Sequence, residues 1–456
     1  MYKRMRAPAV YFCLGLERCL RGESMDSIWT KTAQLPRFNP VKEDMKTDVL
    51  IIGGGIAGLL CAYYLAQAGV DYILAEADTI CSGITKNTTA KITAQHGLIY
   101  AALIQRFGQE KALLYLGANL RAAEEYRRLC REMDCDYREE DLVIYALHDR
   151  DRIERELDAL RSLGADADFV GAPSLPFSAA GALRLGRQAQ FHPLRFAASL
   201  CRGLRIFEHT KVLELAPGKA VTNEGVISFE KAIVATHFPM LNKHGGYFMR
   251  LYQHRSYVLA LRNAPMMDAM YVDESEEGMS FRTYRDLLLL GGGGHRTGKK
   301  GGGWAELERF ARAHYPDARI AARWATQDCM SLDGVPYIGQ YSKNTPNIYV
   351  ASGFNKWGMT SSMVAAQLLA DLIMGKENPC APVFSPARSS LRPQLLVNAA
   401  ESALGLLMPT APRCPHMGCA LRYNPAEHSW DCPCHGSRFA QDGSLIDNPA
   451  ADDKKM

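Results

Sequence analysis

The 456-residue sequence lacks two features that would assign it to a membrane or to nucleic acid. No apolar run is long enough to span a bilayer, so we predict no integral membrane segment. Lysine and arginine exceed aspartate and glutamate by only four charges, which predicts no nucleic-acid partner. With 47% hydrophobic and 22% charged residues, the composition is typical of a globular protein of two or three domains.

A good secretory signal is also missing. The N-terminus MYKRMRAPAVYFCLGLERCL has a basic start and a short apolar run, but Arg18 and Arg21 interrupt this run. The stretch RCLRGES is a poor cleavage site as well. We therefore predict that residues 1–45 are an N-terminal extension, within which Met25 is a natural starting point.

The thirteen cysteines fall into two groups. Nine are scattered from Cys13 to Cys380 without metal-ligand spacing, and Cys61 sits in an apolar helical run. Such cysteines are typical of reduced, buried thiols, which predicts a cytoplasmic protein. The other four lie close together, between Cys414 and Cys434, and need a separate explanation.

The segment TDVLIIGGGIAGLLCAYYLAQAGVDYILAEAD, residues 47–78, has the pattern of a dinucleotide site. Gly53 permits a tight turn, Gly55 lets a pyrophosphate approach the backbone, and Gly58 packs a helix against a strand. The helix N-terminus then faces the phosphates, and Glu76 stands where an acid bonds a ribose hydroxyl. The alternative is a structural glycine turn in another kind of α/β protein.

A second G-x-G-x-x-G unit is absent, which argues against a nicotinamide-driven reductase of the glutathione-reductase type. The run LLLLGGGGHRTGKKGGGW lacks an immediately following helix, so we interpret Gly291–Gly294 as a strand end followed by a mobile loop. Two other stretches favour a longer cofactor. They are the Gly/Ser/Thr-rich loop at 81–97 and a stretch at 329–375 that holds a strand, a glycine loop and a helix N-terminus.

With these pieces, residues 45–378 resemble the D-amino-acid-oxidase-like flavoprotein superfamily, which includes glycine and sarcosine oxidases. The matching segments are DVLIIGGGIAG, GITKNTTAKIT, HTKVLEL, KAIVATH and GVPYIG…YVASGFNKWGMT. The resemblance implies an α/β fold, with a Rossmann-type FAD domain (46–100, 187–250, 325–378) interleaved with an antiparallel-sheet substrate domain (101–186, 251–324). Val212 would contact the adenine through its backbone. The implied FAD-binding residues are Gly53, Gly55, Ile56, Ala57, Gly58, Glu76, Ala77, Gly83, Ile84, Thr85, Thr88, Thr89, Val212, Ala235, Thr236, Gly334, Gly353, Lys356, Gly358, Met359 and Thr360.

Candidate catalytic residues lie on strands expected to cover the flavin, RSYVLALR and MSFRTYRDLLLLGGGG. Arg282 has the planar guanidinium that suits a substrate carboxylate. Tyr257 is a second candidate, and Lys356 holds the place of a basic residue near flavin and substrate in glycine-oxidase-like relatives. Tyr284 and His295 are further candidates. The alternative is that these side chains are solvated or paired across strands.

Two of the four clustered cysteines belong to mixed pairs, a C-x-H pair of Cys414 and His416 and a C-x-x-H pair of Cys432 and His435. A Cys₂His₂ set could bind zinc, but structural zinc sites favour pairs of like ligands. Mixed pairs on two loops suit a two-iron cluster with two thiolates on one iron and two imidazoles on the other. His428 has no partner at ligand spacing, so we expect it to be exposed.

CPHMGC and CPCHGSRF also resemble the Rieske signature. The resemblance implies a [2Fe–2S] cluster on Cys414, His416, Cys432 and His435. It further implies a disulfide between Cys419 and Cys434, backbone approach at Gly418 and Gly436, and a hydrogen bond from Ser437 to the cluster. We predict a linker at 379–404, helical apart from Pro393. A small β module would follow at 405–456, with base strands missing and a core that leans on the flavoprotein.

Together these motifs predict an FAD-dependent oxidoreductase. It would pass electrons between an amine- or amino-acid-like small molecule at the flavin and the Rieske cluster, with a one-electron carrier protein as partner. Two alternatives stay open at this point. One is a reductase fed at the cluster by a carrier protein, and the other is a non-enzymatic redox sensor.

Overall fold

The computed structural model describes residues 25–241, 244–389, 391–408 and 412–454. Residues 1–24 of the predicted extension lie outside the described residues. The remainder of that extension packs against the rest of the chain, because Trp29 is fully buried and its indole nitrogen donates to the Thr88 carbonyl at 2.7 Å. Among the described residues, no helix combines the length and the hydropathy needed to cross a bilayer.

The described helices, α1 to α11 in chain order, are Ile28–Thr32, Ile56–Gln67, Tyr100–Phe107, Gln109–Cys130, Arg150–Ser162, Pro193–Leu200, Tyr247–Arg250, Gly303–His314, Gly358–Ile373, Ala381–Phe384 and Pro393–Leu407. The strands, β1 to β21, are Met45–Ile52, Tyr72–Ala75, Lys91–Ile92, Arg138–Ala146, Ala167–Val170, Gly181–Gln190, Ile206–Phe207, Val212–Ala216, Lys219–Thr222, Val226–Val234, Leu251–Arg262, Met270–Asp273, Ser280–Tyr284, Leu287–Arg296, Arg319–Ser331, Tyr337–Ser342, Thr345–Ser352, Arg422–Asn424, Ser429–Asp431, Arg438–Phe439 and Leu445–Asp447.

The first sheet has the order β16-β17-β10-β1-β2-β7, and its pairs are parallel except that of β16 with β17. The hairpin of β8 and β9 extends it beside β10. Helices α2 and α9 pack on each other and on this sheet. The α2 sequence is apolar on nearly every side, which is why the helix is buried rather than amphipathic. This arrangement gives the expected α/β architecture.

The second sheet has the order β15-β11-β14-β13-β12-β4-β6-β3, with β5 beside β6, and is antiparallel except between β12 and β4. The run Gly291–Gly294 lies inside β14, so its interpretation as a strand end was wrong. Packing inside the sheet explains a glycine at the end of this run, because a Cβ on Gly294 would lie 2.8 Å from the His254 ring. Three parts of this sheet, β3 and the ends of β6 and β15, come from segments assigned to the cofactor domain.

The third sheet is small and antiparallel, with the order β18-β19-β20-β21 and strands of two or three residues. Helix α11 precedes it and begins at Pro393, where proline fits the first helical position. Pro393 therefore starts the helix instead of interrupting it, and the predicted boundary at residue 404 falls inside α11. We call α11 and this sheet, within residues 393–454, the C-terminal module, and the described residues before it the body.

Candidate active site and metal centre

A cavity of about 1080 Å³ lies between the two large sheets. Ile52, Ala75 and Ala235, at or just beyond the ends of β1, β2 and β10, form part of one side, while Tyr257 and Gly291 contribute from the second sheet. Ligands of open α/β sheets bind outside the carboxyl ends of the parallel strands. The predicted cofactor residues in the cavity wall are Gly53, Gly55, Ile56, Ala57, Glu76, Ala77, Gly83, Ile84, Thr85, Thr88, Thr89, Val212, Ala235, Thr236, Gly334, Lys356, Gly358 and Met359.

Three predicted cofactor residues lie outside the cavity wall. A Cβ on Gly58 would collide with the Gly53 carbonyl oxygen, so this glycine serves the packing of α2 against β1. Gly353 has a positive φ of 73° and lies beside Leu251. Thr360 is buried in the first turn of α9, and its hydroxyl donates to the Thr93 carbonyl at 2.8 Å. These three residues therefore contribute to the packing of the elements around the cavity and do not line it.

The turn between β1 and α2 forms a cradle for a phosphate group. Gly53 has a φ of 109°, and a Cβ there would lie 2.7 Å from the Ala235 carbonyl oxygen, so only glycine fits. Helix α2 begins at Ile56, and the residues of its first turn open into the cavity. The unpaired N–H groups of a helix N-terminus favour an anion, so the cradle fits the pyrophosphate of FAD.

Glu76 lies at the end of β2 with its carboxylate held by backbone. One oxygen accepts from the Gly54 N–H at 2.6 Å and the other from the Asp78 N–H at 2.9 Å. Burial nevertheless raises the pKa of this carboxyl above its ordinary value. The carboxylate lines the cavity with a fixed orientation, as an acceptor for a ribose hydroxyl requires.

The metal centre is built from two matching loops in the C-terminal module. In the first, the Gly418 N–H donates to the Cys414 carbonyl at 2.9 Å, and in the second the Gly436 N–H donates to the Cys432 carbonyl at 2.9 Å. Both glycines have positive φ angles, of 75° and 85°. The rings of the two loop histidines meet edge to face, with centroids 5.0 Å apart. The fold therefore brings two Cys–His pairs to one place.

The donor groups at this centre fit a two-iron cluster. Cys414 and Cys432 are buried, and so is His435. Neither ring nitrogen of His435 meets a hydrogen-bond partner at bonding geometry among the described residues. A buried imidazole without a partner is costly unless a ligand satisfies it, and an iron atom would do so.

The second cysteine pair also lies at the centre. The sulfur atoms of Cys419, Cys432 and Cys434 lie within 4.8 Å of one another. Cys419 and Cys434 are free cysteines in the structure, so it brings them together without the predicted disulfide. Gly405 of α11 packs against them, since a Cβ there would lie 2.7 Å from the Cys434 sulfur. His428 is exposed as expected and contacts the Tyr423 hydroxyl at 3.0 Å.

Comparison with known families explains both sites. The profile of the FAD dependent oxidoreductase family matches residues 48–372, and that of the Rieske [2Fe-2S] domain matches residues 394–455. The chain belongs to the FAD dependent oxidoreductase family. Its cofactors are FAD and a Rieske [2Fe–2S] cluster, as the sequence predicted.

Individual relatives share one or both parts of this FAD dependent oxidoreductase. The putative Rieske 2Fe-2S iron-sulfur protein YhfW of Bacillus subtilis is 33% identical and covers 94% of this chain and 96% of its own length. Gamma-glutamylputrescine oxidoreductase of Escherichia coli is 24% identical over 74% of this chain and 86% of its own. The crystal structure of glycine oxidase from Geobacillus kaustophilus, 22% identical, has a TM-score of 0.61 and covers 76% of this chain and 99% of its own.

Two side chains of opposite charge, Lys356 and Asp328, line the oxidoreductase cavity, and the sequence predicted only the first of them. The predicted Lys356 lines the cavity, and its ammonium donates to the Glu276 carbonyl at 2.5 Å. Asp328, from β15, lines it too. Burial lowers the pKa of Lys356, and it raises that of Asp328 to about 6 although Lys356 and Arg255 oppose the rise. No motif marks Asp328, because only the pairing of β15 with β11 brings it here.

The other predicted catalytic residues divide between the cavity and the sheet. Tyr257 lines the cavity, but its hydroxyl accepts a hydrogen bond from Asn424 of the C-terminal module at 3.3 Å. Arg282 is buried outside the cavity wall, where its guanidinium donates to the carbonyls of Thr89 and Ala90, the latter at 2.7 Å. The guanidinium bonds backbone at this place, and a role for Arg282 as a carboxylate ligand stays a prediction.

Tyr284 and His295 also lie outside the cavity wall. The Tyr284 hydroxyl donates to the Asp136 carboxylate at 2.7 Å. The His295 ring stacks on Tyr257 with centroids 5.7 Å apart. Both side chains thus hold other residues in place.

His96 and Phe238 are among the aromatic residues of the cavity wall that sequence reasoning missed. His96 stacks on Trp357 with centroids 5.1 Å apart, and burial lowers its pKa to about 3, so its ring is neutral. Phe238 lies in the wall beyond β10, and its ring centroid is 6.3 Å from those of both His416 and His435. The quoted motifs contain or adjoin both residues, but their roles follow only from contacts distant in sequence.

The junction between the two parts of the oxidoreductase carries buried charge. Arg255 of β11 holds Glu427 of the C-terminal module with two hydrogen bonds, one at 3.1 Å, and the two side chains are 3% and 6% exposed. Arg438 shares Glu427 at 2.7 Å. Beside these charged side chains, the Gln327 amide donates to the Gly436 carbonyl at 2.9 Å. Gly436 directly follows His435, a predicted ligand of the iron–sulfur cluster. The cluster loop therefore rests on the second sheet.

Proposed function

We propose that this protein is a dehydrogenase that oxidises an amine- or amino-acid-like substrate in the FAD cavity and delivers the electrons singly, through its Rieske cluster, to an acceptor protein. FAD supplies two-electron oxidation of a C–N bond, and a Rieske cluster supplies one-electron transfer at a raised potential. The observation that carries the proposal is the position of Phe238. This residue joins the cavity wall to both histidines of the metal centre.

Contacts around Phe238 support a short connection between the two centres. It is buried and packs its edge against the rings of His416 and His435. The neighbouring His237 also lines the cavity, and its ring nitrogen lies 3.1 Å from the Gln253 amide oxygen. Gln253 packs directly on Gly436, since a Cβ there would collide with it. We propose Cys414, His416, Cys432 and His435 as the cluster ligands of this connection.

Charges in the cavity support the substrate class. Asp328 offers a carboxylate to an amino group, and Lys356 offers an ammonium to a carboxylate or another acceptor. Tyr257 adds a polar group on the same sheet. Two relatives point in the same direction, since gamma-glutamylputrescine and glycine, the compounds in their names, both carry an amino group and a carboxylate. Asp328 and Tyr257 line the cavity in addition to the predicted FAD residues, which counts against a redox sensor with no substrate.

The test is anaerobic mixing of the holoenzyme with a panel of amines, amino acids and hydroxy acids. We expect an amino compound to bleach the flavin first, and the reduced-cluster EPR signal to follow. Phe238→Leu should slow the second phase and spare the first. Phe310→Leu, which removes a partly buried ring of α8 outside the cavity wall, is the control and should change neither phase.

Two results would contradict the proposal. If no compound in the panel reduces the flavin, while a reduced carrier protein reduces the cluster and then the flavin, electron flow runs the other way and the protein is a reductase. If the cluster stays oxidised after the flavin is reduced, the two centres are not connected. Potentials of the two centres, measured by redox titration, give an independent reading of direction.

A further inference from the structure

A segment near the end of the C-terminal module reaches the FAD cavity of the body. Residues 446–451, which begin in β21, line the same cavity as Lys211, Val212 and Thr236. Val212 is the residue for which the family resemblance implies a contact with adenine. The metal-centre module therefore supplies part of the wall of the flavin site, beside the groups expected around the adenosine half of FAD.

Specific hydrogen bonds hold this segment against the cavity. The side-chain amide of Asn448 donates to the Thr236 carbonyl at 2.6 Å. The ammonium of Lys211 donates to the Ala451 carbonyl. Both body residues lie in the cavity wall themselves, so the contacts fix the segment at the edge of the cofactor site and not at a remote surface.

The same segment is tied to the metal centre through Ser437. The Ala450 N–H donates to the Ser437 hydroxyl at 3.0 Å, and the Ser437 carbonyl accepts from the Cys432 N–H at 2.8 Å. Ser437 is fully buried, so water does not compete for these bonds. Ser437 thus bonds a predicted cluster ligand through its backbone carbonyl and the wall of the flavin cavity through its hydroxyl.

Charge anchors the start of the segment. The Asp447 carboxylate accepts from Arg438 at 3.0 Å and lies 3.8 Å from the Arg255 guanidinium of the body. Asp447 therefore belongs to the buried charge cluster of the junction and to the cavity wall at once. A change in the position of the cluster loop would reach the cavity through this residue as well as through Ser437.

We propose that residues 446–451 of the Rieske domain are part of the FAD-binding site, and that Ser437 couples this wall to the iron–sulfur cluster so that each cofactor strengthens binding of the other. Coupling between two binding sites is reciprocal, so either cofactor can be used to detect it. The inference rests on the presence of the two cofactors and holds whether or not electrons pass between them.

The first test measures the dissociation constant of FAD by fluorescence titration of the FAD-stripped, cluster-containing full chain. Asn448→Ala should weaken FAD binding about fivefold, because it removes a hydrogen bond of typical net strength from the wall. Gln441→Ala is the matched control. It removes a module amide that donates one hydrogen bond, to Tyr423 at 2.8 Å, outside the cavity wall, and should bind FAD as the unchanged chain does.

The second test compares FAD binding before and after the cluster is removed by iron chelation. The cluster-free chain should bind FAD at least about fivefold more weakly, and Ser437→Ala should shrink this difference. Equal FAD affinities for the Asn448→Ala and Gln441→Ala chains would contradict the proposal that residues 446–451 are part of the FAD-binding site. A weakened Asn448→Ala chain together with no effect of cluster removal overturns the coupling. Because no substrate is present, neither result depends on the proposed dehydrogenase activity.

Discussion

The body and the C-terminal module of this protein are stabilised in different ways. The body contains three apolar clusters, in which residues such as Leu60, Leu289 and Tyr341 are buried among many other apolar side chains. The described buried core of the module is far smaller and consists of Cys414, Cys419, Leu421, Cys432, Cys434, Phe439 and Ala450. Its four cysteines all lie at the metal centre.

The difference teaches that the module depends on what it binds. A small domain cannot bury enough apolar surface to fold on that surface alone, and metal sites often supply the missing free energy. Here the body adds a second contribution through the buried charges at the junction. The short strands of the third sheet can therefore hold a cluster without the additional strands of a larger domain.

The largest effect should come from Glu427, which lies between Arg255 and Arg438. Glu427→Gln leaves two buried guanidinium groups with one fewer carboxylate, and breaking a buried ion pair costs about 3–5 kcal/mol. Urea unfolding followed by cluster absorbance should show this loss. Asp286→Asn, which affects an exposed pair with Arg262 in the body, is the control and should cost under about 1 kcal/mol. An equal loss in the two variants would remove the distinction between body and module.

The contribution of Glu427 should depend on pH in one direction. Burial alone would raise its pKa, but Arg255 and Arg438 hold the pKa below its ordinary value. A carboxyl with a lowered folded pKa stabilises fully above its unfolded pKa, about 4.3, and loses that stabilisation as the pH falls through the folded value. The difference in stability between the unchanged chain and Glu427→Gln should therefore shrink below about pH 4. A constant difference would contradict the assignment.

The next effect concerns close backbone approach at the junction. Gly298 has a φ of 75°, and a Cβ there would lie 2.7 Å from the Pro433 nitrogen in the second cluster loop. Gly203 has the same φ, but a Cβ there would meet nothing within 4 Å. Gly298→Ala should therefore destabilise the module by about 1–3 kcal/mol more than Gly203→Ala, measured by thermal unfolding. Equal shifts in melting temperature would show that Gly298 and the second cluster loop can move apart without a loss of stability.

A smaller effect should separate charges that act on ligands from charges that hold the junction. Asp328→Asn removes a carboxylate from the cavity and should weaken binding of a cationic amine about tenfold at pH 8, as judged by perturbation of the flavin spectrum. For the unchanged chain, affinity should fall as the pH drops below about 6, where Asp328 takes up a proton. Asp317→Asn, at an exposed position, is the control. Binding that ignores both pH and Asp328 would exclude it from the substrate site.

The smallest effect should come from the exposed rim of the junction. Lys299 pairs with Glu401 of α11 at 2.6 Å, and the two side chains are 32% and 17% exposed. Solvent screens such a pair, so Lys299→Met should change stability by under about 1 kcal/mol. A loss as large as that of Glu427→Gln, in the same urea titration, would mean that the rim and the centre of the junction contribute equally.

Much of this structure was predictable because local sequence patterns have local physical causes. The glycines at 53 and 58 satisfy a turn and a close approach that only glycine allows, so the cofactor cradle was identified before the fold was known. The mixed Cys–His pairs predicted the kind of cluster for a similar reason. Arg282 lies outside the cavity wall, although its strand was expected to cover the flavin, because a strand pattern shows that a side chain faces one side of a sheet but not what lies there.

The sequence by itself determined the two cofactors, since each depends on ligand chemistry within a few residues along the chain. Only the tertiary structure decided how the two sites are related. Phe238, Asp328 and the segment 446–451 carry no motif, and they meet the cavity through contacts between residues far apart in sequence. The Rieske domain is therefore both a neighbour of the flavin site and part of its wall. The physical reason is that its charged residues at the junction, such as Glu427 and Asp447, pack against the surface of the body.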